Sequence, residues 1–110
     1  MNLCVAVTDG VYGIPAEGIR VRLLDRLDYG EWLETGQDRT DVNGRAELSV
    51  DTSVDRALRL ELDMDAYYAT LGVRSAHPLI TLTIHLPGNR PAPRVRLVVA
   101  PLAYMTYLEL

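Results

Sequence analysis

Thr40-Asp41-Val42-Asn43-Gly44-Arg45, set beside Ala100-Pro101-Leu102-Ala103-Tyr104-Met105-Thr106-Tyr107, is where the fold of this chain is decided. Asn43-Gly44 is a strong tight-turn dipeptide, because both residues tolerate positive φ. It starts a strand at Arg45 that runs over 45–50. The second stretch joins two runs, 94–100 and 104–110, into a closing hairpin. Outward from these points the chain reads as short β runs between closely spaced turn signals, the pattern of a sandwich or barrel. A first strand covers 3–8, and Asp9-Gly10, Gly13, Pro15 and Gly18 make the loop after it. Residues 19–23 alternate apolar with charged, as a strand with one wet face should. Trp32 and Leu33 open a third run, 51–55 is a loop, and 57–62 alternates again.

One helix is predicted. Asp63 caps it, Asp65 suits the positive end of its dipole, 66–71 form it and Gly72 stops it. Residues 79–86 are a strand whose apolar face is Ile80, Leu82, Ile84 and Leu86. The segment 87–93 is too rich in proline to join a ladder. The 110 residues make a single domain, 1–110, able to bury roughly two-thirds of the surface of the unfolded chain.

Composition removes several classes of function. A hydrophobic fraction of 48% against 24% charged suits a soluble globule rather than a disordered chain. The net charge of −4 argues against nucleic acid as a partner. No stretch approaches the ~20 apolar residues of a membrane span, and the N-terminus lacks the features of a secretory signal. The single cysteine, Cys4, has no internal partner, so a reducing cytoplasm is the expected setting. Every basic residue is arginine; lysine is absent, as is phenylalanine.

Alternation also assigns faces. Val95, Leu97 and Val99 point to the core, which turns Arg94, Arg96 and Val98 outward. On the last strand Glu109 is the residue least suited to a core, and Met105 and Tyr107 share its side. On the first strand Val5 and Val7 read as core, leaving Cys4, Ala6 and Thr8 opposite. This outward mixture of arginine, tyrosine, methionine and a carboxylate is more apolar than a solvated face requires, which suggests an interface or a ligand site.

With these residues in place, the chain resembles the transthyretin and 5-hydroxyisourate hydrolase family. The two opening stretches carry the likeness, supported in order by Val7-Thr8-Asp9, Gly13-Ile14-Pro15-Ala16, the strand at 19–24, Trp32 and the helix at 63–72. The resemblance implies an all-β, transthyretin-like two-sheet sandwich with one short helix. It also implies a homotetramer, a dimer of dimers, with a central channel. In the family's hydrolases that channel uses a histidine on the first strand, which falls on Ala6 here. An arginine after the turn falls on Arg45 and is kept, while a second histidine falls on Arg94. A terminal Tyr-Arg-Gly-Ser becomes Tyr107-Leu108-Glu109-Leu110. The channel face further includes Thr8, Arg96, Val98 and Met105.

Ring opening of a cyclic ureide needs a group that takes a proton from water near neutral pH, and histidine suits that task. Alanine cannot do it, and arginine stays protonated. The carrier branch of the family also lacks the histidines, but it lacks the arginine as well. The favoured expectation is therefore an enzyme of altered chemistry, of hydrolase, cyclase or isomerase type, in specialised metabolism. Its substrate would be a small anionic or enolisable cyclic compound held by Arg45, Arg94 and Arg96. Tyr107 would donate a proton to an oxyanion and Glu109 would act as base or pair with the arginines. The alternative is a noncatalytic carrier using the same channel, and behind it stands a true 5-hydroxyisourate hydrolase. No cofactor and no metal are expected: His77 and His85 read as surface residues, and Asp63 and Asp65 as helix capping.

Overall fold

Two sheets pack face to face. The computed structural model describes residues 2–27, 29–51, 53 and 55–109. The strands are β1 (Asn2–Asp9), β2 (Ile14–Pro15), β3 (Arg20–Arg26), β4 (Trp32–Arg39), β5 (Arg45–Ser49), β6 (Arg56–Asp63), β7 (Leu79–Leu86), β8 (Arg94–Val99) and β9 (Tyr104–Glu109); the one helix is α1 (Met64–Thr70). The first sheet runs β2-β1-β8-β9, with β5 also paired to β1; the second runs β4-β3-β6-β7. Within the first sheet β1 and β8 are parallel, whereas the other pairs are antiparallel.

The core explains why each strand shows the face it does. Val5 and Val7 of β1, Leu58, Leu60 and Leu62 of β6, and Val95, Leu97 and Val99 of β8 are all 2% exposed or less. Each such side chain contributes about 1.5–3 kcal/mol over its exposed state. Sliding β8 by one residue would exchange its three core side chains for Arg94, Arg96 and Val98. Burying those guanidiniums costs several kcal/mol per charge, so core packing fixes the arginines on the outer face.

Differences from the sequence reading have local causes. Residues 14 and 15 form β2 rather than loop, pairing with Thr8 and Asp9 at the margin of the sheet, where Pro15 has no ladder hydrogen to supply. The third run extends through the polar residues 34–38 as β4, because an edge strand facing water on most sides needs no apolar alternation. The second strand reaches Arg26 by way of a bulge between Leu23 and Leu24 that buries both leucines. The strand expected over 94–100 ends at Val99, and that over 57–62 spans Arg56–Asp63. Leu110 at the end of the last strand, and Thr52 and Val54 in the loop 51–55, lie outside the described residues.

The helix forms as expected, with Asp63 as its N-cap accepting from the Ala66 N–H at 3.5 Å. It begins at Met64, whose buried side chain joins Tyr68 in the core. Neighbouring Tyr67 donates its hydroxyl to Oδ2 of the buried Asp9 at 2.7 Å, while Asp9 Oδ1 accepts from Val11 N–H (2.9 Å) and Tyr12 N–H (3.3 Å). One carboxylate thus ties the helix to the turn between β1 and β2. Among the described residues no helix is long and apolar enough to cross a membrane.

Candidate functional site

The turn that opened the sequence reading is a positioning device. Thr40 is buried; its hydroxyl accepts from the Ile19 N–H at 2.8 Å and donates to the Ala16 carbonyl at 2.7 Å. Asp41 Oδ1 accepts from the backbone N–H groups of Asn43 (2.9 Å) and Arg45 (3.0 Å), and the Gly44 N–H donates to the Asp41 carbonyl at 2.9 Å. Of the Asn43-Gly44 pair, Gly44 is the one that takes a positive φ, 75°. The Gly44 carbonyl then accepts from the Val7 N–H at 2.8 Å. The turn is a corner between sheets, since β4 belongs to the second and β5 to the first. Its product is the seating of Arg45 directly beside Ala6.

From there the ladder lays out three adjacent rows on the outer face of the first sheet. Arg45, Ala6, Arg96 and Tyr107 are partners across β5, β1, β8 and β9. Glu47, Cys4, Arg94 and Glu109 form the row on one side. Thr8, Val98 and Met105 form the row on the other. All nine residues singled out in the sequence therefore lie within a patch four strands wide and three rows deep. Parallel pairing of β1 with β8, distant in sequence, is what brings them together. The reading missed Glu47, although its spacing of two from Arg45 places it on the same face.

Ala6, Cys4, Arg96 and Val98 are half-buried, whereas Arg45, Arg94, Thr8, Met105 and Tyr107 are exposed. Arg96 Nε lies 2.6 Å from Glu109 Oε1. Contact with that carboxylate holds the Arg96 guanidinium protonated even more firmly than usual. Glu109 pairs with Arg96 on the diagonal rather than with Arg94 opposite it. Glu47 Oε2 accepts from Asn2 Nδ2 at 3.1 Å. Arg45 and Arg94 have no side-chain hydrogen bond or ion pair with any described residue.

Other residues considered in the sequence are placed elsewhere. His85 is exposed on β7; His77 is exposed too, but its ring stacks edge-on against Tyr104 at 5.2 Å between centroids. No group of three or more metal-ligating side chains converges among the described residues. Trp32 sits on the second sheet with the Arg59 guanidinium 4.2 Å from its ring centroid, where it packs the outer surface. An apolar cavity of about 230 Å³, lined by Leu86, Pro87, Pro91, Pro93 and Leu108 among others, opens beside the segment 87–93. It includes none of the three-row residues.

Residues 3–108 match the model of the HIUase/Transthyretin family, and the chain belongs to that family. Its fold is shared with crystal structures of transthyretin. The structure from Sparus aurata has a TM-score of 0.89 at 21% identity, with 96% of this chain and 94% of that one covered. Sea bream transthyretin in complex with thyroxine gives 0.85 at 21% identity, covering 96% and 92%. At that identity the likeness is one of fold.

Proposed function

We propose that the outer face of the first sheet binds a small anionic compound, seated over Ala6, in a channel formed between copies of this chain in a homotetramer. The single observation that carries this reading is the row Arg45–Ala6–Arg96–Tyr107, in which the smallest residue lies between two arginines. Alanine leaves room above the strand, and arginine donates paired, charge-assisted hydrogen bonds to a planar anion. The adjoining Val98 and Met105 offer an apolar wall to the body of the compound. A transthyretin of the same fold holds thyroxine, which supports a small-molecule site on this scaffold.

Binding without turnover is favoured over catalysis by one further observation. Glu109, the carboxylate suited to act as base, is in contact with Arg96 at 2.6 Å. That contact occupies the carboxylate oxygen that a base would have to turn toward a substrate proton. The catalytic reading, an altered hydrolase, cyclase or isomerase, rests on Tyr107, which stands next to Arg96 and can donate to an oxyanion.

Titration with benzoate and 2-naphthoate, followed by backbone amide NMR, tests the binding reading. Shifts should concentrate on β1, β5, β8 and β9, and Arg45→Ala should weaken binding about tenfold, the loss of one charge-assisted contact. Shifts confined to other surfaces, or an unchanged affinity in Arg45→Ala, would refute it. Hydrolysis of 5-hydroxyisourate at the speed of the family's hydrolases would overturn the argument from Ala6 and Arg94.

A further inference from the structure

We propose that the compound bound on this face is a dicarboxylate, with one carboxylate held by Arg45 and the other by Arg94. The inference rests on the reading of the face as an anion site and adds the number and placement of the charges.

It follows from which arginines are already engaged. On the second sheet Arg22 bonds Glu34 and Glu61, Arg56 bonds Asp25 and Asp51, Arg20 bonds Gln37, and Arg59 covers Trp32. On the first sheet Arg96 is matched by Glu109. Arg45 and Arg94 remain without a side-chain partner among the described residues, and they share one sheet face. Of the other unengaged arginines, Arg26 ends β3 in the opposite sheet, and Arg74 and Arg90 lie in loops. The second acid of the face, Glu47, is engaged by Asn2. Asn2 is neutral, so Glu47 keeps its charge and the face holds three arginines against two carboxylates; neither acid contacts Arg45 or Arg94, so two guanidiniums remain for the carboxylates of a ligand.

Their spacing favours one ligand with two charges over two separate anions. Arg45 on β5 flanks Ala6, and Arg94 on β8 flanks Cys4, so the two lie diagonally across β1. With neighbouring strands ~4.8 Å apart and ~3.3 Å per residue, their Cα atoms are roughly 12 Å apart. Arginine side chains are long enough to reach inward from both ends over Ala6 and Cys4, the two smallest side chains among the three rows. Linking two anions in one molecule makes the second contact intramolecular, which raises affinity without any new group on the protein.

The test compares diacids with their own half-esters on the intact protein. Malonate, succinate, glutarate, adipate and isophthalate, each beside its monomethyl ester, are titrated by calorimetry and amide NMR. The best diacid should bind at least about tenfold tighter than its ester. Arg45→Gln and Arg94→Gln should each bring the diacid down to the affinity of the ester. Both substitutions are at exposed positions, and circular dichroism checks that the fold is kept. If esters and diacids bind this face equally well, the dicarboxylate proposal fails and the anion site stands. If neither class perturbs the face, both fail. The ester comparison on the unaltered chain decides the matter even if a variant misfolds.

Discussion

A Cβ built on Gly44 would lie 2.4 Å from the Val7 carbonyl oxygen and 3.2 Å from the Ala16 nitrogen, at a backbone φ of 75°. Any side chain there must push β5 away from β1, and the contact is with backbone, which has little room to give. Gly44→Ala should therefore destabilise the protein by roughly 2–4 kcal/mol in urea unfolding, with strain and displacement acting together. Because Arg45 is the next residue, the same change should weaken anion binding even where the variant is still folded. Thr40→Val keeps the shape but strands the Ile19 N–H and the Ala16 carbonyl, two buried groups. A loss of about 2 kcal/mol is expected, read from the shift of the urea midpoint. Replacing Asp41 by Ala removes an acceptor used twice in a solvent-exposed turn, and its cost should be smaller, about 1 kcal/mol. The order Gly44, Thr40, Asp41 is itself a check: a reversed ranking would mean the turn is not held as described.

At the level of elements, α1 is attached through Tyr67 and the buried Asp9. Desolvation first, and then the hydrogen bond to Asp9, raise the Tyr67 phenol above its ordinary value of 10.0. The folded chain keeps this proton where the unfolded chain has released it. Stability is therefore full below about pH 10 and falls as pH rises above that. Urea unfolding between about pH 9 and pH 11 should show this decline, and Tyr67→Phe should flatten it. At neutral pH the same substitution should cost about 2 kcal/mol, because it leaves Asp9 Oδ2 without its donor. An alkaline slope identical in both proteins would place the titration elsewhere. Strands such as β3 and β7 were legible in the sequence because burial on one face imposes alternation. The helix was legible from Asp63 and Gly72. In β4 no such imprint exists, since Leu33, Glu34, Thr35, Gln37 and Asp38 are all exposed. The membership of the outer face was readable from alternation, but its rows were not. Nothing in the residues says that Ala6 sits between Arg45 and Arg96, because register between β1 and β8 is a property of distant segments. The engagement of Arg96 by Glu109, rather than of Arg94, was equally invisible.

For the whole molecule, the two sides of the sandwich differ. On one side β4 and β5 are joined by the corner at residues 40–45. On the other, among the described residues, β7 and β9 each pair with a single neighbour, and every residue of β9 is exposed. Open strand edges of this kind are surfaces for another chain. The tetramer proposed above predicts a solution mass near four times 12.2 kDa by sedimentation equilibrium, whereas a mass of one chain would leave the proposed ligand face without its channel. The parallel pairing of β1 with β8 has another consequence. In synthesis β1 must wait for β8, which follows β2 to β7 in the chain. Until then β1, with its apolar Val5 and Val7, is paired along one edge alone, by β2 and β5, and the nascent chain offers a chaperone an apolar strand. Translation that stops before residue 94 would leave the first sheet with β1, β2 and β5 alone, without the Arg94, Arg96 and Tyr107 of the proposed site.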